Sequence, residues 1–318
     1  MAINIGELQI RNNLIMAPMA GVTDVFFRAL VWEHGAGLTV SEMVSAKSIV
    51  YNNQKTLRLL HNVPHIRPWA IQFFGSEPAI IAEAIKRLDF VDYDIVDINM
   101  GCPMPKIVKN GEGAALMMRP LLAGQIIAAA AKASHRPVTV KIRKGFTAAT
   151  ANAVEMAKIA QESGAAAIAV HGRTRDQFYT GQADWEAIGA VKAAVGIPVI
   201  GNGDIDTPQM AKKRLDESGC DGIMLARGAM GNPWLFSHTL KLLETGKVPP
   251  PPSNAQIIDA AIKHVQMVAT DETAPIREMR KHLCWYTKGM HGSADARRRI
   301  NMAQTSQDMV KILLEMRE

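Results

Sequence analysis

The feature that most constrains how this chain can fold is an eightfold alternation between short apolar runs and longer segments with helical spacing. The runs cover residues 14–17, 38–42, 69–73, 94–98, 138–142, 167–170, 198–201 and 222–225. Continuous apolar strands separated by helices are typical of a parallel sheet that is covered on both faces. An open doubly wound sheet is the alternative, but the count reaches eight before the pattern breaks. The sequence therefore predicts an α/β fold, a (β/α)8 TIM barrel.

The barrel pattern ends at four consecutive prolines, residues 249–252. Consecutive prolines cannot continue a helix and form a stiff extended spacer. Beyond them, residues 257–269, 276–288 and 302–316 show helical periodicity without strand runs. The sequence thus predicts a barrel over residues 1–248, a proline-rich linker over 249–253 and a small all-helical C-terminal domain over 254–318.

Length and charge agree with this organisation. The chain has 318 residues, and a barrel needs about 250, which leaves room for a small extra domain. The formal net charge is +6. A basic excess of this size is explained equally well by an anionic partner and by ordinary surface charge, so both interpretations stay open on composition alone.

Cysteine usage and the N-terminus bear on metal binding and compartment. Cys102, Cys220 and Cys284 are far apart and form no C-x-x-C pair, so we expect neither a disulfide nor a metal cluster. The histidines show no metal-site spacing. The first residues lack a signal-peptide pattern, and no run approaches the ~20 apolar residues that span a bilayer. We therefore predict a cytoplasmic protein that binds neither a metal nor a membrane.

Unusual residues, most of them polar or cationic, lie at the carboxyl ends of the predicted strands, where a barrel places its active site. They are Pro18, Met19, Ala20, Ser41, Glu42, Gln72, Asn99, Cys102, Lys141, Arg143, His171, Arg173, Asn202, Gly203, Asp204 and Arg227. A purely structural barrel has no reason to place polar or cationic groups at so many equivalent positions. Their joint placement predicts one functional site at this rim.

Three of these features suggest a particular chemistry. Glycines after the last two strands let backbone N–H groups approach a phosphate, at the usual phosphate site of a barrel. Lys141 can stabilise a reduced cofactor ring, or it is a lysine that extends out of the barrel end. Gln72 can bond the edge of a heteroaromatic ring, or it is a satisfied core amide.

Cys102 lies in a predicted loop between Gly101 and Pro103. With an ordinary thiol pKa of about 8.5 it is mostly protonated near neutral pH and can donate a proton. A thiolate nucleophile is the alternative, and it requires a pKa lowered by nearby cations. Cys220 and Cys284 are better interpreted as small buried hydrophobes.

These motifs resemble those of the bacterial tRNA-dihydrouridine synthases, most closely the B type. The matching stretches are APMAGVTD at 17–24, DINMGCP at 97–103, KIR at 141–143, HGRTR at 171–175 and NGDI at 202–205. The likeness covers the barrel almost end to end and extends more weakly into the helical tail. The combination of GCP with HGRTR is highly specific.

The resemblance implies an FMN-bound barrel, NADPH as the reductant and tRNA as the substrate. The residues that it implies around FMN are Pro18, Met19, Ala20, Gln72, Lys141, His171, Asn202, Gly203, Asp204, Ala226 and Arg227. It implies that Asn99, Arg143 and Arg173 contact the target uracil. One departure is Ala226, where the B type usually has glycine, so that a methyl group is added beside the phosphate site.

The resemblance also implies a mechanism, in which specific tRNA uridines are reduced to 5,6-dihydrouridine. Reduced FMN gives a hydride to C6 of uracil, and Cys102 gives a proton to C5. The candidate RNA contacts are Lys106, Lys109, Arg175, Arg297, Arg298 and Arg299. The alternative for the arginine triplet is a solvated helix end. We expect a monomer.

Two rival functions remain at this stage. A flavin barrel that acts on a small molecule, similar to dihydroorotate dehydrogenase, explains the rim but not the basic helical tail. An RNA-binding module that has lost catalysis explains the tail but not the presence of Cys102 and Lys141. Activity on free pyrimidines would favour the first rival, and a colourless protein that binds tRNA would favour the second.

Overall fold

The computed structural model of the chain describes residues 2–63, 65–271 and 274–317. In chain order, its strands are β1 (Ile3–Ile5), β2 (Leu8–Ile10), β3 (Leu14–Met16), β4 (Leu38–Val40), β5 (Val44–Ser45), β6 (Trp69–Phe74), β7 (Ile95–Met100), β8 (Val138–Gly145), β9 (Ala167–Thr174), β10 (Val199–Asn202) and β11 (Gly222–Leu225). Strands β3, β4 and β6 to β11 pair in parallel, and the pairing of β11 with β3 closes the ring. The predicted (β/α)8 barrel is confirmed.

Helices surround this ring and then continue past it. Those of the barrel are α1 (Val25–Glu33), α2 (Ala46–Val50), α3 (Gln54–Leu57), α4 (Pro78–Arg87), α5 (Pro105–Lys109), α6 (Pro120–Ala133), α7 (Ala153–Glu162), α8 (Trp185–Ala194), α9 (Pro208–Ser218) and α10 (Trp234–Thr245). The C-terminal helices are α11 (Asn254–Ala269), α12 (Met279–Tyr286), α13 (Ser293–Met302) and α14 (Ser306–Glu315). None of the described helices is both long enough and apolar enough to cross a bilayer.

The inside of the barrel is closed at the amino end of its strands. The antiparallel hairpin of β1 and β2 packs Ile3, Ile5 and Ile10 against inward-facing residues such as Ile15 and Ile200. The hairpin was not predicted from the sequence, since its two strands have three residues each and lie outside the eightfold repeat. Because this end is filled with aliphatic side chains, the open end of the barrel is the carboxyl end.

Strand register then decides which polar side chains become neighbours. On adjacent strands, Asn99 is paired with Lys141 and Arg143 with His171. His171 is in turn paired with Asn202. Parallel strands all end on the same side, so these positions form a continuous polar rim.

The C-terminal helices pack around an apolar cluster of their own that includes Ile258, Leu283, Ile300 and Leu313. Helix α1 joins this cluster through Leu30, which fastens the helices to the first β/α unit of the barrel. The sequence predicted three helices here, whereas the described residues form four. Helix α13 escaped prediction because it buries few apolar side chains and carries three consecutive arginines.

Candidate functional site

A cavity of about 1040 Å³ opens at the carboxyl end of the barrel strands. All but one of the residues predicted to contact cofactor or uracil line it: Pro18, Met19, Ala20, Gln72, Asn99, Cys102, Lys141, Arg143, His171, Asn202, Gly203, Asp204, Ala226 and Arg227. The exception is Arg173. Side chains that are up to two hundred positions apart in sequence therefore meet at one place.

Cys102 lies in the loop after β7, and its position is fixed by the residue three before it. The side-chain oxygen of Asn99 accepts hydrogen bonds from the backbone N–H groups of Gly101 (3.2 Å) and Cys102 (2.9 Å). Burial raises the pKa of the Cys102 thiol, and the nearby cations Arg143 and Lys141 oppose this less strongly. The thiol is therefore protonated near neutral pH, which favours a proton donor over a thiolate nucleophile.

Lys141 projects from β8 into the interior of the cavity. Its Nζ donates a hydrogen bond to Oδ1 of Asn202 over 3.2 Å. Burial, reinforced by the charge of Arg143, lowers the pKa of Lys141 to about 8. Because this pKa lies above 7, the lysine is mostly charged at pH 7. Because it lies well below the usual lysine value, the charge is lost at moderately alkaline pH.

His171 is buried on β9 beside the two cations. Burial lowers the pKa of His171 well below its usual value, and the charges of Lys141 and Arg143 lower it further. The imidazole is therefore neutral at pH 7. Gly203 has a φ of +133° and passes close to this ring, since a Cβ there would lie 3.2 Å from His171 Cδ2. A side chain at position 203 would thus strain the backbone and crowd the histidine.

Arg143 is nearly fully buried and links the loop after β7 to the end of β9 and the loop that follows it. Its Nε donates to the carbonyl of Gly101 over 2.8 Å, and its Nη1 donates to the carbonyls of Thr174 and Phe178. Burial lowers the pKa of Arg143 to about 10, so the guanidinium remains charged at neutral pH. Arg143 therefore places a positive charge beside Cys102 and also anchors the Cys102 loop.

The loops after β10 and β11 form the corner that the sequence assigned to a phosphate. Within the described part of the chain, the backbone N–H groups of Gly203 and Asp204 donate no hydrogen bond. The side chain of Arg227 is about half exposed at this corner. Ala226 has a φ of −129°, outside the left-handed region that favours glycine, so a positive φ is not the reason for a glycine at this position.

Arg173 does not line the cavity, although its partners Asp204 and Gly181 do. Its guanidinium forms a bidentate ion pair with Asp204, at 2.8 and 2.9 Å, and donates to the carbonyls of Thr180 and Gly181. Asp204 has a φ of +52°, an unusual value for a non-glycine residue, and this ion pair holds it there. The geometry gives Arg173 a role in fixing the Asp204 loop, and its direct contact with uracil stays a prediction.

The predicted RNA contacts do not line the cavity and are divided among α5, the loop after β9 and α13. Lys106 and Lys109 are exposed on α5, close to the Cys102 loop. Arg175 lies over the rings of Phe146 and Phe178, each 5.3 Å away.

The arginine triplet lies on α13, in the C-terminal helices. Arg298 pairs with Asp295 over 2.7 Å, and Arg299 pairs with Glu315 over 2.6 Å. Arg297 forms no ion pair with any described residue, so it is the member of the triplet most available to an external anion.

Several lining residues were missed by sequence reasoning. Besides the predicted Met19, five methionines contribute to the wall, namely Met43, Met104, Met210, Met224 and Met230. Tyr179, half exposed in the loop after β9, lies beneath Arg227 and beside Arg143, with guanidinium-to-ring distances of 4.8 and 5.8 Å. The sequence signal that could have identified Tyr179 is that it is an aromatic residue in a long polar loop. Cys284 is half-buried rather than buried, whereas Cys220 is buried as predicted.

A second depression, of about 560 Å³, lies at the opposite end of the barrel. It is lined by the β1–β2 turn, His135 and Arg136, and none of the predicted site residues reaches it. Among the described residues, no group of three or more histidine, cysteine, aspartate and glutamate side chains is placed to hold a metal ion. The carboxyl-end cavity is therefore the candidate active site.

Comparisons with known proteins agree with the motifs of this cavity. The family model of dihydrouridine synthase (Dus) matches residues 15–317. A probable tRNA-dihydrouridine synthase of Rickettsia bellii is 44% identical over 303 residues, which cover 94% of this chain and 93% of that protein. The tRNA-dihydrouridine synthase B of Xanthomonas axonopodis pv. citri is 43% identical, with 95% of this chain and 91% of that protein covered.

Solved structures share the fold at low sequence identity. Morphinone reductase has a TM-score of 0.56 at 13% identity, over 81% of this chain and 93% of that chain. Histamine dehydrogenase from Rhizobium sp. 4-9 has a TM-score of 0.59 at 13% identity, over 84% of this chain and 50% of that chain. At such identity these likenesses bear on the barrel alone, whereas the family match and the curated relatives extend through the C-terminal helices. The chain belongs to the dihydrouridine synthase family of oxidoreductases.

Proposed function

We propose that this protein reduces specific uridines in tRNA to 5,6-dihydrouridine, with FMN bound in the carboxyl-end cavity and NADPH as the reductant. The observation that carries the proposal is the convergence of a protonated thiol, Cys102, with Lys141 and Arg143 in one cavity. Membership of the dihydrouridine synthase family and the names of the relatives, tRNA-dihydrouridine synthases, support the same reaction.

The residues of the cavity fit FMN. Its volume of about 1040 Å³ is at the upper end of the about 300–1,000 Å³ that small-molecule pockets occupy, so it has room for a cofactor and a base. The unpaired N–H groups of Gly203 and Asp204, together with Arg227, suit a phosphate. Lys141 suits the electron-rich ring, since a buried cation stabilises the negative charge of a reduced flavin. When bound and reduced, FMN would supply the hydride for C6 of uracil.

The chain's own residues would supply the proton and hold the base. Cys102 would donate its thiol proton to C5 of uracil, which leaves a thiolate that regains a proton from solvent. The positive charges of Arg143 and Lys141 stabilise that thiolate while it lasts. Asn99, whose amide is already bonded to the Cys102 loop, would meet the base through its remaining hydrogen-bonding capacity.

The reaction requires the base to leave its stack in the tRNA. Extruding a base costs a few kcal/mol, which contacts to the RNA backbone must offset. Lys106 and Lys109 lie on α5 next to the Cys102 loop, Arg175 lies in the loop after β9, and Arg297 lies on α13. We propose that these cations contact tRNA phosphates, and that the helices orient the tRNA so that one uridine reaches the cavity.

The test is mass spectrometry of tRNA nucleosides from a strain that lacks the gene. We expect one or more dihydrouridines to disappear, and expression of the wild-type chain to restore them. Cys102→Ala should fail to restore them, whereas Cys284→Ala, which changes a half-buried cysteine outside the cavity, should succeed. Unchanged dihydrouridine in the deletion strain would contradict the proposal. Reduction of free uridine by the purified protein, without any effect of added tRNA, would favour a small-molecule enzyme.

A further inference from the structure

A buried carboxylate lies directly behind the cavity. Asp97, in the middle of β7, is almost fully buried and does not line the cavity. Its Oδ1 pairs with the hydroxyl of Thr139 over 2.6 Å, and its Oδ2 accepts a hydrogen bond from Nε2 of Gln72 over 2.7 Å. Within an apolar strand, an acidic side chain stabilises nothing by hydrophobic burial, so its contacts must explain its presence.

The contacts of Asp97 continue as a chain to the thiol. Gln72 uses its other end, Oε1, to accept a hydrogen bond from Nδ2 of Asn99 over 2.8 Å. Asn99 then uses its own oxygen to accept the backbone N–H group of Cys102. One path of hydrogen bonds therefore runs from Asp97 through two amides to the Cys102 loop.

Asp97, the first member of this path, decides which group donates and which accepts in each of its hydrogen bonds. An amide side chain can be turned over, because its oxygen and nitrogen have nearly the same shape. If Gln72 turned over, its nitrogen would face Nδ2 of Asn99, and two donors would meet. An acceptor at Oδ2 of Asp97 prevents this, because it accepts only the nitrogen end of Gln72.

This acceptor is maintained whether or not Asp97 is ionised. Burial raises the pKa of Asp97, while the hydrogen bonds from Thr139 and Gln72 and the charge of Lys141 oppose the rise. A threonine hydroxyl can both donate and accept, so a proton on Asp97 can reside on Oδ1, between Asp97 and Thr139. Oδ2 then still accepts from Gln72.

We infer that Asp97 is a positioning residue, which fixes the orientation of Gln72 and Asn99 and thereby the place of the Cys102 thiol in the cavity. The inference rests on the proposed function for its consequence in catalysis. Its structural part concerns this chain's residues alone and is testable without tRNA or NADPH.

The test compares Asp97→Leu with the conservative variant Asp97→Asn and with Thr139→Val. The rate at which iodoacetamide alkylates each cysteine of the purified full-length protein is measured by mass spectrometry of peptides. Asp97→Leu removes the acceptor, so we expect alkylation of Cys102 to rise several-fold while that of Cys284 stays constant. Asp97→Asn can turn its oxygen to Gln72 and its nitrogen to Thr139, and it should restore the wild-type rate. Thr139→Val leaves Oδ2 in place and should also behave as wild type.

The variants that change Cys102 alkylation should also be the ones that change catalysis. In dihydrouridine formation, Asp97→Leu should lower kcat by about 100-fold with little change in KM for tRNA, the scale expected when a reacting group is misplaced by ~1 Å. The inference is overturned if Asp97→Leu leaves Cys102 alkylation unchanged, or if all cysteines react faster together. If Asp97→Leu fails to fold, Gln72→Met breaks the path one step later and must produce the same rise. Should the wild-type protein form no dihydrouridine, the proposed function fails while the alkylation rates still decide the role of Asp97.

Discussion

Two regions of this molecule bury histidines, and they differ in what surrounds the rings. His171 lies in the carboxyl-end cavity beside Lys141 and Arg143. His264 and His282 lie between α1 and the C-terminal helices, with their ring centroids 4.8 Å apart and the ring of Phe27 against both. Burial lowers the pKa of His264 to about 3 and that of His282 to about 2. The pKa values of all three histidines are therefore strongly depressed.

A perturbed pKa therefore does not by itself mark a functional site. At the junction between barrel and helices, both ring nitrogens of His282 are buried without a hydrogen-bond partner among the described residues, and Nε2 lies 3.7 Å from Oδ2 of Asp24. Neither His264 nor His282 lines the carboxyl-end cavity. At the cavity, the histidine meets a thiol, a lysine and an arginine around an open volume. We therefore assign the chemistry to the cavity and a purely structural role to the junction.

The largest expected effect that sharpens this contrast is that of Cys102→Ala. If the thiol is the proton donor, kcat for dihydrouridine formation should fall by about 10²–10⁴-fold, the usual contribution of a positioned acid. Bound flavin and NADPH oxidation should remain, because neither needs this proton. The product is measured by nucleoside mass spectrometry under multiple turnover. Full product yield would remove the thiol from the mechanism.

The second effect concerns the charge of Lys141. Because its pKa is lowered to about 8, the ammonium loses its proton as pH rises through that value. If the charge assists reduction, kcat in the wild type should decline above pH about 8, whereas the raised pKa of Cys102 would place a thiol-dependent decline at higher pH. Lys141→Met should lower kcat by about 100-fold and abolish this decline. Lys144→Met, which removes a neighbouring lysine outside the cavity, should keep it. A decline near pH 8 that survives in Lys141→Met would contradict the assignment.

A smaller effect is expected from the arginines of α13. Arg297 forms no ion pair with the described residues, whereas Arg299 is paired with Glu315. If the helices contact tRNA phosphates, Arg297→Ala should weaken tRNA binding and reduce the dependence of log Kd on log salt by about one unit. Arg299→Ala should change both the tRNA affinity and its salt dependence less than Arg297→Ala does. Equal binding isotherms for wild type and Arg297→Ala across a salt series would rule out this contact.

At the junction, where His264 and His282 lie, we expect a substitution to have no effect on activity. His282→Phe should retain kcat and change the pH dependence of stability instead. Because the folded pKa of about 2 lies below the usual 6.5, the unfolded chain binds more protons between these values, and the wild type loses stability as pH falls below 6.5. At pH 5, this histidine lowers the free energy of unfolding by about 2 kcal/mol. The free energy of unfolding, measured with denaturant at pH 7 and at pH 5, should drop less between the two pH values in His282→Phe than in the wild type. The exposed His135→Phe is the control and should behave as the wild type. A loss of activity would break the comparison.

The sequence predicted the barrel and the rim because both depend on repeated local patterns. An apolar run such as 167–170 identifies a buried strand, and the polar residue that follows it falls at the carboxyl end. The β1–β2 hairpin and α13 escaped because their stability comes from tertiary packing rather than from a regular pattern. The bonds of Arg173 to Asp204 and to the carbonyls of Thr180 and Gly181 could not be predicted, because one side chain on a strand end can face either the cavity or the surrounding loops. Asp97 went unnoticed because its role depends on cross-strand partners, Gln72 and Thr139, that become neighbours only through register.

The most direct test of the assignment is a single absorbance experiment on the purified protein. The protein is reduced by NADPH without oxygen, the excess NADPH is removed, and tRNA that lacks dihydrouridine is added. We expect the protein to carry flavin absorbance, to lose it on reduction and to regain it when tRNA is added. A colourless protein, or a reduced flavin that tRNA leaves unchanged while the flavin still reacts with oxygen, would contradict the assignment of uridine reduction to the carboxyl-end cavity.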